Sequence, residues 1–66
     1  MPKDSFTTKD LMVLHELLTG EELMFKKCSA YAAQATDSKL RTMFNGYAQG
    51  HKKRFNTLFS HLGGQQ

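Results

Sequence analysis

Glu21 and His51 are the two residues of this 66-residue chain best placed to do chemistry. Each falls where an apolar residue is expected in an otherwise apolar helical stripe. A carboxylate and an imidazole turned into one core suggest a metal site, a hydrogen-bonded polar layer, or a remnant of either. Both groups suit zinc, iron or manganese, and helical bundles hold such metals in their cores. Carboxylate-bridged di-metal bundles set one Glu on one helix against a Glu-x-x-His on its partner. The residue three before His51 is Ala48, so half of those carboxylates are missing. A mononuclear site of two Glu and two His, drawn from two copies of the chain, stays open. So does a polar layer that satisfies both groups and fixes helix register.

Two helices have to position this pair. The first stripe runs Leu11, Leu14, Leu18, Glu21, Phe25, Cys28, Ala32, Ala35, in steps that alternate three and four. Leu17, Met24 and Tyr31 widen it on one side. This spacing predicts a helix over 9–35. Thr7 can cap it, with Asp10 reaching back and Phe6 and Leu11 as the ends of a hydrophobic staple. Thr36, Asp37 and Ser38 form the interior break, and Asp37 is a good cap for a second helix over 39–62. That helix carries Leu40, Phe44, Tyr47, His51, Phe55, Leu58 and Leu62 on its stripe, with Met43 and Phe59 beside it. Gly63 is expected as its left-handed cap. Residues 1–5 and 63–66 read as tails. A turn this short folds the second helix back antiparallel, which sets Glu21 and His51 at one height. The alternative is a single continuous helix through Asp37.

The predicted fold class is therefore all-α: an antiparallel two-helix hairpin forming one domain. A hairpin alone leaves much of two wide apolar stripes uncovered. The simplest remedy is a homodimer that closes into a four-helix bundle. Its expected dimer core is Leu14, Leu18, Phe25, Phe44, Tyr47, Phe55 and Leu58. Gly20, Gly46 and Gly50 lie inside the helices and are read as points of close helix approach, the functional alternative being a small void or channel beside the polar layer.

The other candidate groups point to little chemistry. Cys28 is the only cysteine, so no internal disulfide forms, and its stripe position makes it a small core residue. His15 and His61 read as boundary residues near the ends of the stripes, close enough to approach each other. Lys52, Lys53 and Arg54, with Lys26 and Lys27, read as a solvated helix face. The net charge of +3 is low for a nucleic-acid binder. No Ser–His–Asp set, Gly-rich phosphate loop or paired catalytic carboxylate is visible, so neither an enzyme nor a cofactor is expected. No apolar run has the length of a membrane span or the form of a signal peptide. The expectation is a chain made in the cytoplasm, with no membrane or nucleic-acid partner.

The pattern Glu21, Lys26, Lys27, Tyr31, Ala32, then Asp37, Leu40, Arg41, Phe44, then His51 and Leu58 resembles the coat F family of small spore coat proteins. The resemblance covers roughly residues 9–62. It implies a ferritin-like plan of paired long helices, with Glu21 and His51 at positions where ferritin-like proteins place metal ligands. It also implies a structural role in the spore coat, with other coat proteins as partners. Ala48 departs from the metal-binding version of the plan.

Overall fold

Thr7 starts the first helix by a reciprocal exchange with Asp10. The Asp10 amide donates to Thr7 Oγ1 at 3.0 Å, and the Thr7 amide donates to Asp10 Oδ2 at 3.2 Å. Two amides that the helix cannot satisfy internally are thereby satisfied. The computed structural model describes residues 6–64. Helix α1 runs Thr8–Gln34, and α2 runs Ser38–Phe59. The tail expected at 1–5 lies outside the described residues, as do residues 65–66 of the one expected at 63–66.

Ala35 closes α1 with extended backbone, its amide donating to Tyr31 O. Asp37 then opens α2. Its Oδ1 accepts from the amides of Lys39 at 2.8 Å and Leu40 at 3.1 Å. Arg41 ties the turn down by donating to Thr36 O at 3.2 Å. Asp37→Ala is expected to lower unfolding free energy by about 1 kcal/mol, the usual worth of such a cap. Urea denaturation at fixed chain concentration checks this, and an unchanged midpoint would show that the turn does not depend on the cap.

The α-helical part of the second helix ends earlier than 62, and Gly63 is not a left-handed cap. No glycine among the described residues has a positive φ. The chain instead widens into a π turn, Ser60–Gly64. The Ser60 amide reaches the carbonyls of Asn56, Thr57 and Leu58, and Ser60 Oγ and His61 Nδ1 donate to Thr57 O. The helical path runs on through the glycines in this turn, so the chain takes no left-handed residue there. His61 is thus held by its own helix. His15, also exposed, lines a shallow depression made wholly of α1 residues.

The helices pack antiparallel. Tyr31 and Phe44 rings meet at 5.8 Å near the turn, and Lys52 Nζ lies 5.5 Å over the Phe25 ring further down. Beyond that, Phe55 and Phe59 stack at 6.1 Å. The Cα trace measures 48 × 19 × 11 Å, a slab one helix thick. Among the described residues only small side chains are fully enclosed in the seam: Cys28, Ala32 and Ala48. They allow the two helices to run close, and the larger residues beside them are covered on one side alone.

Candidate functional site

Glu21 and His51 meet across the seam. Their levels follow from the capped turn, because Ala35, Thr36 and Asp37 leave no slack between the helices. His51 Nδ1 and Glu21 Oε1 are 2.6 Å apart. A contact that short between these atoms needs a proton, so Nδ1–H donates to the carboxylate. Arg54, one turn after His51, donates from Nε to Glu21 Oε2 at 3.1 Å. Its Nη2 is also 3.1 Å from His51 Nδ1. That nitrogen has already given its proton and lone pair other work, so the approach is donor against donor and adds no hydrogen bond.

The side chains of Glu21 and His51 are 19% and 20% exposed, while Arg54 is 57% exposed. The pair is half-buried, and the guanidinium covers its outer edge. The hydrogen bond from His51 holds the Glu21 carboxyl below its usual value of 4.5. Partial burial opposes this, and the hydrogen bond and charge of Arg54 reinforce it. The sign of the pH effect follows. In the unfolded chain Glu21 takes its proton at the higher, ordinary pH. Its stabilising contribution is therefore complete above that value and is lost as pH falls through the lowered folded one. Glu21→Gln is expected to show a shallower loss of stability below pH 4.5 than the wild type. Thermal melts across an acid series check this, and parallel acid limbs would remove Glu21 from the account.

Arg54 is the member that sequence reasoning missed. It sat in the run Lys52, Lys53, Arg54, read as one solvated face. The three in fact part company: Lys52 lies over Phe25, Lys53 stays exposed, and Arg54 turns to Glu21. A usable signal was present, since a residue three after His51 stands on the same side of the helix.

The geometry of one chain does not fit an iron-type metal centre. Among the described residues no third His, Cys, Asp or Glu joins the pair. Both carboxylate oxygens are already engaged, and one of them holds a cation. Ala48, where a di-metal plan needs a carboxylate, is packed in the seam at 1% exposure.

The remaining candidates divide by position. Leu14, Leu18, Phe25, Phe44, Phe55 and Leu58 are half-buried, whereas Tyr47 stands 57% exposed. Cys28 is a buried free thiol. The glycines do not mark close approach within the chain. A Cβ built on Gly20 or Gly46 meets nothing within 4 Å, and on Gly50 it meets only the Arg54 guanidinium at 3.7 and 3.8 Å.

No family model, curated protein or solved structure matches this chain.

Proposed function

We propose that the chain is a structural protein that works by self-association, two hairpins packing into a four-helix bundle of ferritin-like plan without catalysis. One observation carries this reading. Among the described residues no large side chain is fully buried, while eleven large apolar residues are 39% to 63% exposed. A two-helix slab cannot enclose its own core, and apolar surface of this extent calls for a cover. The dimensions agree with a second copy as the cover. The radius of gyration is 15.0 Å, against about 11 Å for a compact chain of this length and about 14 Å for one twice as long.

In this reading Glu21, His51 and Arg54 form a polar layer that fixes register. Sedimentation at micromolar concentration tests the assembly: a dimer is expected, and a stable monomer overturns it. The proposal sets the bundle in the spore coat, beside other coat proteins, on the strength of the residue pattern from Glu21 to His51. A fluorescent fusion in a sporulating bacterium is expected to ring the developing spore. Diffuse fluorescence through the mother cell would remove the coat assignment and leave the assembly claim intact.

Divalent-metal binding is the competing reading, and the contact of carboxylate with imidazole is what favours it. Two copies would have to supply two Glu and two His, and Arg54 would have to leave Glu21. Elemental analysis after exposure to iron, zinc and manganese separates the two readings. About one ion per dimer, lost in His51→Ala, would replace the polar-layer account.

A further inference from the structure

The exposed apolar residues are not spread evenly around the hairpin. Leu17, Met24 and Tyr31 recur every seven residues and form one line along α1. Leu40, Met43 and Tyr47 form a line along α2 at steps of three and four. All six are 39% to 57% exposed. In an antiparallel pair these two lines open on the same flank of the seam. Near the turn the structure joins them: Tyr31 packs on Phe44, and Tyr31, Leu40 and Phe44 line one depression.

The opposite flank has a different character. There Glu22, Lys52 and Asn56 border Phe25 and Phe55, and Lys52 lies over the Phe25 ring. Lys26 pairs with Glu22 at 3.5 Å on the same helix. Two copies meeting on that flank would have to desolvate several charges. On the first flank Arg54 is matched by Glu21 of its own chain, and Lys27 stands at the margin. A symmetric contact sets each residue near its own copy, so an apolar flank with its central charge already neutralised suits it.

Two glycines add an independent observation. Helical periodicity puts Gly20 and Gly50 on the outer border of this flank, at the height of the polar layer. Each weakens its helix relative to alanine, and no neighbour among the described residues requires either. The backbone of another chain would fill the space they leave. The area is also of the right size. The accessible surface is 5094 Å², which exceeds the roughly 4,200 Å² of a compact monomer of this mass by about what each partner gives to a standard interface, near 800 Å².

We propose that the hairpin dimerises through the flank bearing Leu17, Met24, Tyr31, Leu40, Met43 and Tyr47, the occupant being a second copy that approaches most closely beside Gly20 and Gly50. This rests on the self-association proposed above and names its surface. It also moves the interface away from the half-buried seam residues, Tyr47 excepted.

The chain carries its own probes. Met12 is 63% exposed outside this flank, on the far side of α1, and Met24 and Met43, within it, are 39% and 46% exposed in the single chain. Peroxide oxidation read by peptide mass spectrometry is run at concentrations where sedimentation shows dimer and where it shows monomer. In the dimer, Met24 and Met43 are expected to oxidise at least about fivefold more slowly than Met12, and on dilution the gap should close to under about twofold. Met24 and Met43 reacting as fast as Met12 in a sedimenting dimer overturns the surface while sparing the dimer. Monomer throughout removes the self-association reading itself. A second arm uses Met43→Glu, expected to dissociate the dimer, beside Leu23→Glu on the far side of α1, expected to keep it. A dimer that survives Met43→Glu likewise overturns the assignment.

Discussion

Ala48→Leu is expected to lower unfolding free energy by about 1–3 kcal/mol, the usual range for overpacking a tight core. Ala48 is 1% exposed, the most enclosed residue among those described as core. In the register set by Tyr31–Phe44 and Lys52–Phe25 it lies level with Cys28, itself 6% exposed. Two small residues at one level leave no room for three more carbons. Leucine there has to push the helices apart or leave its preferred rotamers. Separation would also loosen the Glu21–His51 contact, less than one turn of α2 away. The loss would be a large share of what a domain of this size can hold. Ala33→Leu, on an exposed position of α1, is the control, expected to stay within about 0.5 kcal/mol of wild type. Urea denaturation followed by circular dichroism at one chain concentration reads both. Equal midpoints for Ala48→Leu and wild type would mean that the seam is not closed at this level.

The second large effect concerns the polar layer. Glu21→Leu alone removes the acceptor from His51 Nδ1–H and strips Arg54 of its partner. Leaving a half-buried donor unpaired costs about 1–3 kcal/mol, and the one-fifth exposure of both side chains puts the figure toward the lower end. Glu21→Leu with His51→Leu removes donor and acceptor together. Arg54, more than half exposed, then turns to water. The double variant is expected to be as stable as wild type or more so, because packed apolar groups commonly match a buried polar pair. The double-mutant cycle therefore predicts strong coupling, with the second substitution recovering what the first loses. Additive losses would show that Glu21 and His51 do not act as a pair. If the layer fixes register, the stable double variant should also sediment as a broader mixture of species.

The parts of the fold that could be read in the sequence are those set by local chemistry. The exchange between Thr7 and Asp10 and the Asp37 cap involve residues at most three apart, so their spacing alone announces them. Once both ends of the turn are known, the meeting of Glu21 with His51 follows from counting along two rigid helices. Arg54 was missed because a long side chain chooses between water and a partner according to what the opposite helix offers. Gly63 misled because the helix does not stop at it: the chain runs on through a π turn, Ser60–Gly64, in which no glycine is left-handed. The glycines at 20, 46 and 50 were read as points of close helix approach, and nothing among the described residues approaches them closely. Composition marks where close approach is tolerated but does not say which backbone approaches.

The three-residue turn Ala35–Thr36–Asp37 also governs the order of events when the protein forms. Almost every contact of the hairpin can be reached by zipping from that turn, so little loop entropy opposes closure. Folding of the single chain should be fast and indifferent to concentration. In the dimer proposed above, covering the open flank is a second-order encounter, and its half-time should shorten in proportion to chain concentration. A stopped-flow refolding trace would separate the two phases, with the bimolecular one limiting in dilute solution. Abundance, more than folding, would then set the time at which the finished assembly appears.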